Sequence, residues 1–120
     1  MILDTGCSKS VCSDCWLHEY ILTLSELEKS MVEYSESKSV FRFGDSSLYK
    51  AKSHVKLPAN IGGQTFLINA DVIDADVPLL LSKRAMKKAG VVIDMKNDSI
   101  TMFGKKVKGY VTGLRIVLLE

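Results

Sequence analysis

The sequence predicts a mainly β domain with two short helices. Strand-length apolar segments alternate with glycine-bearing turns, which is typical of β-hairpins. One stretch, Thr65 to Ile73, is rich in residues that favour strands. Two other segments show helical spacing or capping signals. With 120 residues, 47% of them hydrophobic and 25% charged, the chain is long enough for one such core and too short for two.

The N-terminal half contains one predicted helix. Apolar residues recur at i, i+3 and i+7 from Leu24, with polar residues on the other face. Either Thr23 with Glu26 or Ser25 with Glu28 can form a capping box at its start. In order, this half is predicted to contain a strand at Ile2-Leu3, a short strand and a turn over residues 10–17, the helix over residues 23–34, and two strands, Val40 to Phe43 and Leu48 to Leu57, on either side of a glycine turn.

In the C-terminal half, Pro58 is predicted to end the preceding strand, and a second helix is expected after Ser82. Gly90 is the expected residue just past the end of that helix. The predicted elements are strands over Thr65 to Ile73 and Val77 to Leu81 (the latter buried on both faces), a helix over Lys83 to Ala89, a hairpin of Val91 to Met95 with Ser99 to Phe103, and strands over Val107 to Val111 and Leu114 to Leu119.

Charge and apolar content exclude several classes of protein. Sixteen basic and 14 acidic residues give a net charge of +2, too small to indicate a nucleic-acid-binding domain. The basic residues of Lys83 to Lys88 are predicted to form a solvated face. No apolar run reaches the roughly 18 residues of a membrane span. Residues 1–4 have neither the charged nor the apolar region of a signal peptide, so we expect no secretory signal. The three cysteines all fall within Cys7 to Cys15 and cannot pair completely, so we expect an intracellular, cytoplasmic protein.

The triplet Asp4-Thr5-Gly6 follows an apolar strand and precedes a glycine-turned hairpin, after which a buried strand leads directly into a helix. In this order the features resemble the retroviral-type aspartic proteases (retropepsins). More narrowly, they resemble the protease segment of the Pol polyprotein of gypsy-type LTR retrotransposons. The blocks that carry the resemblance are Ile2 to Cys12, Phe41 to Asp45, Leu57 to Gly62, Asp76 to Ser82, Ala85 to Gly90, Ile93-Asp94 and Phe103-Gly104.

The resemblance implies a closed, β-barrel-like acid protease fold and an aspartic endopeptidase that hydrolyses a retrotransposon polyprotein. It also implies a homodimer, and the single Asp-Thr-Gly of this sequence agrees, because two carboxylates are needed. The expected partners are thus a second copy and an extended peptide or polyprotein, with no cofactor and no membrane. Nucleic acid would be met only through other parts of a parent polyprotein. The implied site residues are Asp4, Thr5 and Gly6 as the catalytic loop, Phe43, Gly44 and Asp45 as the flap over the substrate, and Leu80, Leu81 and Ser82 as the supporting strand.

The two ends of the chain each bear on how complete the domain is and how it would dimerise. Only three residues precede Asp4, where these domains usually have a further strand or two. We therefore expect residues 1–120 to form a single retropepsin-like domain that is truncated at its N-terminus. At the other end, the apolar residues Ile116 to Leu119 have no other assigned role and are the expected dimer interface.

Two alternatives stay open at this point. A retropepsin-like remnant would dimerise or bind peptides without cutting them. Alternatively, Cys7, Cys12, Cys15 and His18, spaced C-x4-C-x2-C-x2-H, would form a small zinc-binding module. We favour free thiols over a metal, because the gap before His18 is short for a zinc site and the paired ligands of known structural sites are missing.

Overall fold

The computed structural model describes residues 1–4, 7–42, 47–61, 63–112 and 115–118. Over these residues the chain is mainly β, as predicted, with short helices. The helices are α1 (Asp14–Leu22), α2 (Glu26–Lys29) and α3 (Lys83–Lys88). The strands are β1 (Ile2–Leu3), β2 (Val11–Ser13), β3 (Glu33–Ser35), β4 (Val40–Arg42), β5 (Leu48–Lys50), β6 (Ser53–Ile61), β7 (Gln64–Ile73), β8 (Leu80–Leu81), β9 (Val92–Asp94), β10 (Ser99–Met102), β11 (Lys105–Val107), β12 (Gly109–Thr112) and β13 (Arg115–Leu118).

Eight of the strands form one mixed sheet in the order β12-β13-β1-β8-β2-β7-β6-β3. Two pairs in this sheet, β1 with β8 and β2 with β7, are parallel. Smaller sheets are formed by β11-β10-β9 and by the hairpin β4-β5. Within the described ranges the large sheet ends at β12 and β3, so the closure that the resemblance implied is not observed.

The main core is formed by side chains of the large sheet together with those of α1, α3 and β10. Leu57 and Val72, from the long β6-β7 hairpin, are fully buried. Met86 of α3 and Met102 of β10 belong to the same buried cluster. In the described part of the chain, no helix combines the length and apolar character that a membrane-spanning segment requires.

A helix rather than a turn follows β2. Ser13 is its N-cap and accepts a hydrogen bond from the Trp16 backbone N–H at 3.1 Å. Leu17 is buried, and Tyr20 packs against the core. The turn predicted within residues 10–17 was wrong, because this cap and these side chains hold α1 against the sheet although its apolar residues do not form a clean helical stripe.

The helix predicted over residues 23–34 was largely wrong. Only Glu26–Lys29 is helical, and β3 follows soon after. The capping box of Ser25 and Glu28 is present, and the bond from the Ser25 backbone N–H lowers the pKa of Glu28. Leu27, however, is 76% exposed. The apolar spacing matched a helix, but no core surface lies against it, and a short helix without packing is only marginally stable.

Pro58 lies within β6 and does not end it, contrary to prediction. The Tyr20 hydroxyl donates to the Pro58 carbonyl oxygen at 2.8 Å, so this carbonyl points away from β7. The nitrogen of a strand residue points to the same side as its carbonyl. On that side β3 pairs only with residues 54–56. The missing N–H therefore removes no hydrogen bond from the ladder.

The strand predicted from Leu48 to Leu57 is divided because the chain passes from one sheet to another. The Ala51 backbone N–H donates to Ser39 at 2.9 Å, and that of Lys52 donates to Val72 at 2.7 Å. Two other predicted strands are also shorter than expected. The run Val77 to Leu81 is a strand only at Leu80–Leu81, and the run Val107 to Val111 is divided at Lys108.

The helix predicted after Ser82 is confirmed, together with both of its ends. Ser82 is the N-cap, and its hydroxyl accepts from the Ala85 backbone N–H at 3.2 Å. Gly90 has a φ of 61°, which glycine adopts without strain. The Val91 backbone N–H then bonds back to the Met86 carbonyl at 3.1 Å, as in a Schellman motif.

The last strand belongs to the chain's own core. β13 lies between β12 and β1, and Leu3 pairs with Ile116. Ile116 and Leu118 are only 7% and 6% exposed, while Leu119 lies outside the described residues. Because these side chains are buried within one chain, their apolar character no longer indicates a dimer interface.

Candidate active site

Asp4 lies at the point where β1 leaves the sheet. The Ile2 backbone N–H donates to Leu79 at 2.8 Å, and the Asp4 backbone N–H donates to Leu81 at 3.0 Å. The Cys7 backbone N–H in turn donates to the Asp4 carbonyl at 3.1 Å. The Asp4 side chain is partly exposed. Thr5 and Gly6, the other two predicted catalytic-loop residues, lie outside the described residues.

The chain from Cys7 onward is attached to the end of β8. The Ser82 backbone N–H donates to the Ser10 hydroxyl at 3.0 Å, and the two hydroxyl oxygens are 3.4 Å apart. The Lys83 backbone N–H also lies 3.4 Å from the Cys7 carbonyl. Both serines are buried. The segment between Asp4 and β2 is thus fixed at both ends to β8 and to the start of α3.

Leu80, Leu81 and Ser82 are therefore directly beside the segment that carries Asp4. Leu81 pairs with Leu3 in the parallel β1-β8 ladder, and Leu80 pairs with Val11 of β2. Leu80 and Leu81 are buried. A short, fully buried strand of this kind resists movement in every direction, since displacing it would open the core.

A second apolar cluster, separate from the main core, adjoins this site. Val11, Ile73 and Leu80 are its buried members. Phe41 of β4 and Tyr49 of β5 pack against it. These residues pair across the β4-β5 hairpin, which therefore rests on the cluster next to Asp4. The predicted flap residues Phe43, Gly44 and Asp45 are in the segment between β4 and β5 and lie outside the described residues.

A buried carboxylate, that of Asp71, lies on β7 where this strand pairs with β2. Asp71 is 5% exposed, and its backbone N–H donates to the Ser10 carbonyl at 3.0 Å. One carboxylate oxygen is 3.1 Å from His54 Nδ1. Neither Asp71 nor Ser10 was assigned a role from the sequence. Asp71 could have been noticed in the sequence, because it is an acidic residue within a run of strand-favouring residues. A carboxylate that becomes buried needs a hydrogen-bond or ion-pair partner.

The four candidate zinc ligands differ in their exposure to solvent, and Cys7 is partly buried. Cys12 is fully buried on β2, and burial, with smaller contributions from Asp14 and Asp71, raises its pKa to about 12. Cys15 and His18 are exposed on α1. Among the residues that the structure describes, no group of three or more His, Cys, Asp or Glu side chains has the arrangement of a metal site. The zinc alternative therefore gains no support from the arrangement of these residues.

The sequence matches no protein-family model and no curated protein. The structure, however, is similar to a solved one, the crystal structure of the retroviral protease-like domain of Ddi1 from Leishmania major. The TM-score is 0.58, and the match covers 92% of this chain and 80% of that one. Only 14% of residues are identical, so the similarity establishes the fold alone. The chain has a retropepsin-like fold.

Proposed function

We propose that this chain is one subunit of an aspartic endopeptidase, in which Asp4 and the Asp4 of a second copy together form the active site. The observation that carries the proposal is the attachment of Asp4 to Leu81, and of the following segment to Ser82, within a retropepsin-like fold. A catalytic carboxylate must be held within a fraction of an ångström of its working position. The hydrogen bonds of Asp4 with Leu81 and of Ser10 with Ser82 supply such support.

The chemistry requires two carboxylates in different protonation states. When two such groups lie a few ångströms apart, they cannot both ionise, so they share one proton and titrate as a pair. The ionised group removes a proton from water as the water attacks the scissile carbonyl, and the protonated group donates a hydrogen bond to the carbonyl oxygen. The sequence has one Asp-Thr-Gly, so the second Asp4 comes from another copy.

The proposed substrate is an extended peptide that lies between the two copies. The partly buried side chains that cover the second apolar cluster, among them Ile2, Phe41 and Val77, offer apolar surface to substrate side chains next to Asp4. The β4-β5 hairpin, which rests on this cluster, is the proposed flap. The resemblance to gypsy-type Pol proteases makes the polyprotein that contains the chain the substrate we propose.

The test is cleavage of a polyprotein-derived substrate by the purified chain, compared with Asp4→Asn. We expect Asp4→Asn to abolish cleavage, because an amide cannot accept the proton from water, and a peptide that mimics the tetrahedral transition state to inhibit the parent protein. Asp76→Asn, an equivalent change at an exposed position, serves as the matched control and should cleave normally. Folded parent protein without any cleavage would contradict the proposal and favour the non-catalytic remnant.

A further inference from the structure

The first half of β7 has one edge that no described strand covers. β6 pairs with β7 over residues 64–72, whereas β2 pairs with it only at residues 71–73. The Asp71 backbone N–H points to the β2 side, where it donates to Ser10. Backbone groups alternate between the two sides of a strand, so those of Leu67 and Asn69 point to the β2 side too. An uncovered edge of this kind is a template for a further strand.

This edge forms one wall of a cavity of about 340 Å³, the α3–β7 groove. Apolar side chains of four different elements line the groove, among them Phe66, Leu81, Met102 and Phe103. The rings of Phe66 and Phe103 are in contact, with centroids 4.7 Å apart. The groove can therefore bury one large apolar side chain next to the free backbone edge.

Two cations of α3, Arg84 and Lys88, also line the groove. They lie four residues apart, so they occupy the same face of the helix. Neither forms an ion pair with a carboxylate within residues 1–4, 7–42, 47–61, 63–112 and 115–118. α3 itself contains no acidic residue. The groove thus combines an apolar interior with two cations that have no described counter-charge.

We propose that the α3–β7 groove binds an extended polypeptide segment of another molecule, which adds as a strand to the free edge of β7. The segment carries a large apolar residue and, two positions away, an Asp or Glu. Residues two apart lie on the same face of a strand. The apolar side chain enters the groove while the carboxylate meets Arg84 or Lys88. The free edge and the apolar lining favour a peptide over RNA, which would need cations along its whole length.

The test uses the full chain with Asp4→Asn, which prevents cleavage of the probe, and backbone amide chemical shifts. The probe is a capped seven-residue peptide of threonines with Phe at its third position and Glu at its fifth. The matched control peptide has Glu at the fourth position, so its composition is identical but its carboxylate is on the opposite face. We expect shifts at residues 66–69 and 84–88, and binding of the probe that is at least about fivefold tighter than that of the control.

Protein variants separate this groove from general attraction to a basic helix. Arg84→Glu with Lys88→Glu should weaken binding about tenfold or more, whereas Lys83→Glu with Lys87→Glu, the same charge change outside the groove, should have less than about a twofold effect at physiological salt. A probe with N-methylated backbone should bind much less tightly, because it cannot pair with β7.

Several results would overturn the proposal. These are equal affinity for the two peptides, equal losses in the two double variants, no binding at millimolar peptide, or shifts centred on Asp4 and Val11. A further contrary result would be that a single-stranded oligouridine changes the amide chemical shifts of residues 84–88 and the peptide does not. That result would indicate that α3 binds nucleic acid instead. Shifts at residues 66–69 that grow with protein concentration alone would mean that a second copy occupies the groove.

Discussion

The backbone N–H of Ser82 donates a hydrogen bond to the hydroxyl of Ser10 at 3.0 Å, although the two residues are 72 positions apart. Ser10 immediately precedes β2, and Ser82 immediately follows β8 and is the N-cap of α3. One buried contact therefore joins the segment after Asp4 to the supporting strand and to the helix. The two buried hydroxyl oxygens also lie 3.4 Å apart, so the serines contact each other through their side chains as well.

Ser10→Ala should destabilise the protein by about 1–3 kcal/mol, because it leaves the buried Ser82 N–H without its partner. Chemical denaturation measures this loss. Ser8→Ala, an exposed neighbour, should change stability by less than about 0.5 kcal/mol. If the site works as proposed, Ser10→Ala should also slow peptide cleavage at temperatures where it is fully folded. Equal stability of the two variants would show that the contact is not maintained in solution.

Gly109→Ala should destabilise the pairing of the last two strands. A Cβ at this position would lie 2.6 Å from the Val117 carbonyl oxygen and 2.8 Å from Ile100 Cδ1, so the backbone must shift. Overpacking of this kind costs about 1–3 kcal/mol. The melting temperature measures the effect, and Lys108→Ala at the exposed neighbouring position is the control. A melting temperature unchanged by Gly109→Ala would contradict the β12-β13 register.

Cys12 should make the folded state sensitive to high pH. Its pKa is raised from 9.0 to about 12, mainly by burial, so the folded state favours the neutral thiol. This contribution to stability is fully present below pH 9.0 and is lost as the pH rises from there through about 12. The free energy of unfolding should therefore fall by up to about 1.4 kcal/mol per pH unit more steeply in the parent protein than in Cys12→Ala.

The difference between these two curves is the informative quantity, since the other ionisable groups are the same in both proteins. Parallel curves for the parent and Cys12→Ala between pH 9 and 11 would mean that Cys12 is not buried as described. The same measurement bears on the zinc alternative, because a metal-bound thiolate would have a lowered pKa rather than a raised one.

Local signals predicted α3 well and α1 badly, for a physical reason. Ser82 and Gly90 determine the ends of α3 through bonds to residues within one turn, so a short sequence window contains the whole cause. α1 depends on the packing of Leu17 and Tyr20 against strands that are distant in sequence, while Leu22 of the same helix is 65% exposed. Its apolar residues therefore do not recur at helical spacing, and the sequence pattern does not predict this helix.

The same distinction applies to the candidate site. Asp4 was predicted because its triplet is a contiguous motif, and the short strand before it needs only apolar residues. The contacts of Ser10 with Ser82 and of His54 with Asp71 join residues 72 and 17 positions apart. They arise from the order in which strands enter the sheet, which no local pattern in a single sequence contains.

Mixing of active and inactive chains tests most directly whether two Asp4 carboxylates form the proposed active site. At concentrations where dimers are complete, an equal amount of Asp4→Asn should reduce cleavage by a fixed amount of parent protein to about half, and three equivalents to about a quarter, because mixed dimers lack one carboxylate. Equal additions of Asp76→Asn should not inhibit. Cleavage that is unaffected by added Asp4→Asn would mean that each chain acts alone, and would contradict a shared site.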